Sequence, residues 1–324
     1  MKTVFTTAAL LFSLLILISC GRKSQDEIFM PGNGPYLEEI AENLYYVHDF
    51  NNGGNICFLV SKTGVLVVDA GYYPGPTSEV SVLIDKVTSK PVKYIVYTHC
   101  HTDHVGGVAG WPETAEIIAH ENLPANLKKF VLPGVEEFRD ELEKFGEDSL
   151  RQKYGDLFRE KYSTEIKQPG KLFSEAKIIK LGKYTVELHY PGVCHTTDNI
   201  LVWFPAQKAV HTGDLIFNGR HPFISKTYQA NVINWIETLK KWSEKDIEAV
   251  IPGHGEPGGK DLLIEQADYL TLLVMAVEEY VGSENDINQV AAEIHGEYFQ
   301  DYEYSSYFNS AVELVMLNLA EQAQ

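Results

Sequence analysis

The 324-residue sequence predicts an α/β fold built from two β-sheets with helices on their outer sides. Three observations carry that prediction. Short runs rich in Val, Ile, Tyr and Phe alternate with Gly- and Asn-containing turns from Leu44 onward. Helix-patterned segments separate these runs in two successive rounds. The His and Asp patches fall where a strand-like run ends, so ligand-type side chains can converge on one rim of a sheet.

Residues 1–19 read as a lipoprotein signal peptide and stand outside the fold. Lys2 supplies a short positive region, and the apolar stretch Ala8 to Ile18 is too short to span a bilayer comfortably. It ends in Leu17-Ile18-Ser19-Cys20-Gly21, which resembles a bacterial lipobox. That resemblance implies cleavage before Cys20 and lipidation of its sulfur, hence a membrane contact through lipid on Cys20. The expected location is the bacterial cell envelope, at the outer membrane on its periplasmic or surface face. Residues 20–38, with Gly and Pro clustered up to Pro35, read as a tether.

The first round of elements begins with strands at Tyr45 to Val47, Ile56 to Val60 and Val65 to Val68, the last ending in Asp69-Ala70-Gly71. A helix from Ser78 to Ser89 precedes the strand Val92 to Tyr97. Gly106-Gly107 opens a helix or turn, and Ala115 to Ala119 is a further strand. Residues 122–170 change to a charged helical pattern, clearest at Glu136 to Leu142 and Arg151 to Tyr162, and read as an insertion. The second round has strands at Ala176 to Leu181, Tyr184 to Tyr190, Asn199 to Phe204 and Gln207 to Thr212. The amphipathic helix Ile233 to Ser243 and the strand Ala249 to Ile251 follow. The core domain thus spans residues 39–259. Residues 260–324 form a helical extension, with helices expected at Asp261 to Val281, Ile287 to His295 and Ser305 to Ala320.

A net charge of −18 disfavours nucleic acid, whose binding rests on basic patches. The charge is uneven: after Lys260 there is no Lys or Arg, against 13 Asp and Glu. Besides Cys20 the chain holds Cys57, Cys100 and Cys194, an odd number at irregular spacing and no disulfide framework. Cys100 and Cys194 adjoin candidate ligands, and the reading favoured for both is small residues packed under the site. No motif identifies a protein partner, and a small-molecule substrate is expected.

Four ligand-type side chains crowd into His99-Cys100-His101-Thr102-Asp103-His104, just after an apolar run. His195, Asp214 and His254 follow, with Asp69 upstream. Imidazole and carboxylate together suit zinc and its first-row neighbours. In an extended segment residues two apart face the same way, so His99, His101 and Asp103 can share a side. His104 falls out of that phase and reaches a second ion only if the chain turns after Thr102. Each ligating imidazole needs an acceptor for its other nitrogen, and Asp69 is a candidate. A structural zinc site closes with four ligands, whereas seven are on offer here. His211 has opposite parity to Asp214 and should face away from the metals. Arg220 and His221, in the turn after Asp214, either touch substrate or hold the loop.

Thr98-His99-x-His101-x-Asp103-His104 with Gly106-Gly107, His195 before Thr196-Thr197-Asp198-Asn199, Thr212-Gly213-Asp214 and Pro252-Gly253-His254-Gly255 together resemble the metallo-β-lactamase fold superfamily, over Leu44 to about Gly259. The run from His211 to Phe223 looks like relatives named quinoprotein relay system zinc metallohydrolases. The resemblance implies a four-layer αβ/βα sandwich with a helical insertion and a C-terminal helical extension. It also implies a ligand set: His99, His101 and His195 on one metal, Asp103, His104 and His254 on the other, and Asp214 bridging. Two Zn2+ per chain are expected, although iron and manganese use the same ligand types. The implied activity is hydrolysis by a metal-bound hydroxide of an ester, thioester or amide carbonyl, β-lactams included, with Asp103 as the catalytic residue that orients the nucleophile. Asn199 is a supporting or substrate candidate beside Asp69, Arg220 and His221.

Departures from that pattern narrow the substrate. One-cysteine di-zinc lactamases carry Cys where this chain has Asp214, and a carboxylate-gripping Lys three residues later, where Phe217 stands. Arg220 is the available substitute. Glyoxalase II grips glutathione with basic groups in its helical tail, and this tail has none after Lys260. Other classes on the same ligand list are a mono-iron persulfide-dioxygenase-like sulfur enzyme and an envelope metal-binding accessory protein without turnover. The aromatic stretch from Tyr298 to Phe308 is either a substrate wall or helix packing, and packing is the commoner use.

Overall fold

The computed structural model describes residues 35–48, 53–283, 285–302 and 306–322. The signal segment, Cys20 and most of the tether lie outside the described residues.

The β-rich runs of the first round form one seven-stranded sheet in sequence order. Strands β1 (Tyr36–Ala41), β2 (Leu44–His48), β3 (Cys57–Ser61) and β4 (Gly64–Val68) pair antiparallel. Helix α1 (Pro74–Val87) then crosses over to β5 (Val92–Val96), which runs parallel to β4. Pro74 stands in the first turn of α1, where its missing N–H costs nothing. After β5 the chain turns at once into the short helix α2 (Thr102–Val105), then passes to the parallel strand β6 (Glu116–His120). Helices α3 (Leu123–Asn126), α4 (Leu132–Tyr154) and α5 (Leu157–Ser163) occupy the predicted insertion before the parallel strand β7 (Lys171–Phe173). Gly146 breaks α4 with φ 77°.

The second round forms a five-stranded sheet. Strands β8 (Ala176–Leu181), β9 (Tyr184–His189), β10 (Leu201–Phe204) and β11 (Ala209–His211) pair antiparallel in sequence order. Helix α6 (Val232–Ser243) then leads to β12 (Ala249–Ile251), parallel to β11 at the sheet edge. The Asn231 side chain caps α6 by accepting from the Asn234 N–H. Helices α7 (Asp261–Glu278), α8 (Ile287–Tyr298) and α9 (Ser306–Gln322) complete the chain.

Successive side chains along each strand point to opposite faces, which sorts them into three apolar layers. Between the sheets, Leu59, Leu66, Val96 and Ile118 meet Val186, Leu188, Val202 and Phe204. On the outer face of the first sheet, Phe58, Val65 and Val67 pack with Val80 and Ile84 of α1. On the outer face of the second, Leu201, Val210 and Val250 pack with Trp235 and Leu239 of α6 and with Leu263, Leu270 and Val277 of α7. Helix, sheet, sheet, helix is the four-layer α/β sandwich the sequence implies. Because α7, α8 and α9 contribute to that last core, the C-terminal extension is packed into the sandwich.

Two strands escape the sequence reading. Strand β1 is an edge with a single buried residue, Leu37, its other five residues being exposed or part-exposed, so its alternation is faint. It places the 38/39 boundary drawn between tether and domain inside a strand. Strand β7 has three residues and only Phe173 buried.

Candidate metal centre

The candidate ligands arrive from loops at one end of the sandwich. Strand β5 delivers Thr98 and His99, and the turn into α2 presents Asp103 and His104. Strand parity therefore fails at Asp103. The helical turn beginning at Thr102 moves Asp103 away from His99 and His101, towards His104 and His254. One group of facing ligand atoms consists of His99, His101, His195 and Asp214, and the other of Asp103, His104 and His254. Within each group the atoms lie within 4.8 Å of one another.

Asp214 stands between the two groups. Its Oδ2 lies 3.6 Å from His99 Nε2, 3.5 Å from His195 Nε2 and 3.4 Å from His254 Nε2, and its Oδ1 lies 3.1 Å from His104 Nε2. Asp103 Oδ2 is 3.4 Å from His104 Nε2 and 3.2 Å from His254 Nε2. His101 Nδ1 and His195 Nε2 face each other at 3.0 Å. The turns that carry these groups approach so closely that only glycine fits beside them. A Cβ on Gly253 would stand 2.0 Å from Asp214 Oδ1, and one on Gly54 would stand 2.4 Å from the His104 ring.

Asp69 lies fully buried behind the centre, with φ 63°, a left-handed conformation that a non-glycine residue keeps only when its surroundings hold it there. Its Oδ1 accepts the Thr98 N–H at 2.7 Å, and its Oδ2 accepts the Thr98 hydroxyl at 2.8 Å and His104 Nδ1–H at 2.7 Å. The Thr98 hydroxyl in turn accepts from His99 Nδ1 at 3.0 Å. One carboxylate thereby fixes the tautomers of both His104 and His99 and leaves Nε2 of each as the free nitrogen. Thr98, the link in this chain, stands in the sequence motif without a role assigned to it there.

Electrostatically the two groups differ. Burial pushes His101 well below the usual imidazole range, helped by His99 and His195, and pushes His195 to about 3. Both are therefore neutral bases near pH 7. Burial alone would raise Asp103 and Asp214, but the surrounding histidines outweigh it and hold both well below the carboxylate range. Burial likewise opposes charge on His104 and His254, yet the carboxylates raise both, His254 to about 9.

These residues fit metal ions. His99 Nε2 is buried and has no hydrogen-bond partner, and the equally buried His104 Nε2 and Asp214 Oδ1 face only each other and the neighbouring ligand atoms. An unpartnered buried polar atom costs about 1–3 kcal/mol, a cost that a coordinated cation removes. Imidazole nitrogens with carboxylate oxygens are the donor set of zinc and its neighbours.

The other sequence candidates take distinct places. Asn199 braces the His195 loop: its Oδ1 accepts the N–H groups of Cys194 (3.1 Å) and Thr196 (2.9 Å), and its Nδ2 donates to Gly192 O (3.0 Å). His211 lies outside both ligand groups, and its Nδ1 accepts the Gly213 N–H at 3.1 Å. Cys100 and Cys194 are buried free thiols, and burial pushes the Cys194 thiol up to about 12. Arg220 and His221 line a cavity of about 410 Å³ that opens onto His101, Asp103, Asp214 and His254. His221 also hydrogen-bonds Tyr269 Oη and lies against Tyr302, so it holds the loop onto the C-terminal helices as well.

Sequence reading missed the aromatic side of this cavity: Tyr72, Phe223 and Tyr228. The Tyr228 ring meets the His101 ring edge-on at 4.1 Å and Phe130 of the insertion at 4.7 Å. From the aromatic stretch in the tail, Tyr307 lines the cavity, while Phe299 and Phe308 are buried in the core and Tyr302 faces a neighbouring cavity. Both uses weighed for that stretch occur. Tyr304 lies outside the described residues.

A family model described as "Metallo-beta-lactamase superfamily" matches residues 51–254, well over half of the chain. A metallo-beta-lactamase type 2 from Bacillus sp. (strain 170) is 27% identical over 215 residues, covering 65% of this chain and 70% of that protein. Among solved structures, the stereoselective inverting sec-alkylsulfatase Pisa1 from Pseudomonas sp. aligns with a TM-score of 0.68 at 16% identity, over 88% of this chain. This chain spans only 50% of that one. A metallo-beta-lactamase from Pontibacter korlensis aligns with a TM-score of 0.56 at 19% identity, over 73% of this chain and 99% of its own. At these identities the structural matches establish the fold alone.

Proposed function

The chain belongs to the metallo-beta-lactamase superfamily, and from that premise we propose that it is a two-metal, zinc-dependent hydrolase of an ester, thioester or amide carbonyl. The observation that carries the reading is Asp214, one carboxylate within 3.1–3.6 Å of four histidines drawn from both ligand groups. In this reading His99, His101 and His195 hold one ion, Asp103, His104 and His254 the other, and Asp214 both. Zinc held there would supply an acidified water as nucleophile and polarise the carbonyl.

The chain's own residues then have definable work. Asp69, through Thr98 and His104, keeps two imidazoles in the tautomer that presents Nε2 to the centre. Asp103, at the cavity wall and held ionised, accepts a hydrogen bond from the attacking water and orients it. Phe223 and Tyr228 cover His101 and exclude bulk water on that side. No side chain is required as a covalent nucleophile.

β-Lactam hydrolysis enters the proposal through the 27%-identical Bacillus relative. A kinship with quinoprotein relay system metallohydrolases rests on the run from His211 to Phe223. Anchoring in the cell envelope by lipid on Cys20 rests on the order of charge, apolar stretch and Cys in residues 1–21.

The test is metal analysis of the chain from Cys20 onward, purified without chelators, together with hydrolysis of a chromogenic cephalosporin and a panel of lactones and esters. About two zinc per chain with turnover that Asp103→Ala abolishes is the expected result. One iron per chain without hydrolysis would overturn the carbonyl mechanism in favour of sulfur oxidation. Bound metal with no turnover of any kind would leave a binding protein.

A further inference from the structure

The segment Gly53-Gly54-Asn55 lies just before β3 and meets the second ligand group, Asp103, His104 and His254, one ligand per residue. A Cβ on Gly53 would stand 2.4 Å from the Asp103 Cβ, and one on Gly54 would stand 2.4 Å from the His104 ring. The backbone thus runs against both ligands where no side chain fits. Asn55 meets the loop that carries His254. Its N–H donates to Gly253 O at 2.8 Å, and its Nδ2 donates to Pro252 O at 2.9 Å and to Gly255 O at 2.7 Å. The Tyr46 hydroxyl donates to Asn55 Oδ1 at 2.9 Å, so both ends of the amide are engaged and its orientation is fixed.

Each backbone carbonyl from Pro252 to Glu256 has a donor, and two asparagines supply them all. Asn55 takes the carbonyls of Pro252, Gly253 and Gly255. Asn218 takes those of His254, with its N–H at 2.9 Å, and Glu256, with its Nδ2 at 2.8 Å. The two come from opposite sides, Asn55 from the first sheet and Asn218 from the turn after Asp214. This division matters because the second group is itself drawn from both sheets. Asp103 and His104 follow β5 of the first, whereas His254 follows β12 of the second. Their separation depends on what ties the 252–256 loop to the first sheet. Asn55 supplies three such ties, and His48 of β2 adds another through its Nδ1, 3.1 Å from the Glu256 carboxylate. Packing fixes His254 least, since it is the least buried of the five ligand histidines.

Building on the two-metal reading above, we infer that Asn55 is a positioning residue for the second ion. It holds the His254 loop within ligating reach of Asp103 and His104, and so sets how tightly that ion is bound relative to the first. No residue of the 252–256 loop belongs to the first group, so the effect falls on one ion of the two. Occupancy of the second position then rests on an amide outside both ligand groups. Asn55→Asp keeps the shape of the side chain and the acceptor for Tyr46. It replaces the amide nitrogen with an oxygen facing two carbonyl oxygens, so two hydrogen bonds are lost and like charges meet.

The experiment is chelator competition on the zinc-loaded full chain, with zinc per chain and circular dichroism recorded for wild type, Asn55→Asp, His254→Ala and the double variant. His254→Ala identifies the second ion as the one it releases. The affinity for that ion should fall about 10–100-fold in Asn55→Asp, and the affinity for the other should change by no more than about twofold. Because Asn55 acts through His254, Asn55→Asp should add nothing in the His254→Ala background. Unchanged affinity, equal weakening of both ions, or a full additional loss in the double variant overturns the inference. If Asn55→Asp loses its native circular dichroism, Asn55→Ser takes its place under the same expectations, since it falls short of both carbonyls without adding charge. A wild type that binds a single zinc refutes the two-metal reading instead. Should that zinc be loosened by both His254→Ala and Asn55→Asp, the positioning role stands; should it be indifferent to either, the role falls as well.

Discussion

Single residues show how much of the candidate centre is set by groups outside the two ligand sets. Asp69 accepts three hydrogen bonds in a fully buried, left-handed position, and two of its donors fix ligand tautomers. Asp69→Asn keeps the shape but turns an amide N–H2 towards donors. Metal affinity, measured by chelator competition, should fall about 10–100-fold with the fold retained. An unchanged affinity would show that the tautomers are held by other means. His254 gives a pH prediction. Burial alone would lower its pKa, but Asp214 and Asp103 outweigh burial and raise it from 6.5 to about 9. In metal-free protein a raised folded pKa means stabilisation that is complete below pH 6.5 and lost as pH climbs through about 9. The Tm of the metal-stripped chain should therefore decline across that interval. With metal bound the ion takes the proton's place and the decline should vanish. The ligand types and their order were readable from the sequence, since few folds place His-x-His-x-Asp-His after an apolar run. The roles of Thr98 and of the aromatic Tyr228 were not, because a hydroxyl or a ring gains a role here only from what it touches.

At the scale of elements, close turns matter more than long helices. The turn after β12 passes so near Asp214 that a methyl group on Gly253 would stand 2.0 Å from Oδ1. Gly253→Ala should lower bound metal per chain well below wild type while circular dichroism stays native, and full metal occupancy would contradict the packing argument. Helix α6 makes the complementary case. Trp235 is fully buried, donates its indole N–H to Leu215 O at 2.9 Å and packs edge-on against His195 at 5.5 Å. Trp235→Ala should cost about 3–5 kcal/mol in a denaturant titration and loosen the loop that carries Asp214. Helical periodicity made α6 legible, and β3, β4 and β5 were legible as short runs of β-branched and aromatic residues bounded by turn residues. Strands β1 and β7 were illegible because an edge strand buries too little to imprint an alternation. The parity argument misplaced Asp103 for a related reason: it presumes continued extension, and the chain turns into α2 at Thr102.

Over the whole molecule, the C-terminal helices are part of the sandwich that holds the centre. Leu263, Leu270, Leu273 and Val277 of α7 share one core with Trp235, Leu239 and Val250. A chain ending after Gly259 would leave that apolar face open to water. It should be insoluble or lack a cooperative thermal transition, whereas an appendage could be removed with a few degrees' change. The same helices line the second, neighbouring cavity and set Tyr307 in the wall of the first, so the extension shapes what reaches the candidate ligand groups. By itself the sequence determined the α/β class, the order of the layers and the seven candidate ligands, because apolar periodicity and donor chemistry are local properties written residue by residue. The division of those ligands into two groups with Asp214 between them came from the family resemblance, whereas only the tertiary structure decided the tautomer chain through Asp69 and Thr98 and Arg220's place at the junction of two cavities. Each of these depends on distances between segments 30 to 150 residues apart in the chain, and such distances exist only once the two sheets have packed.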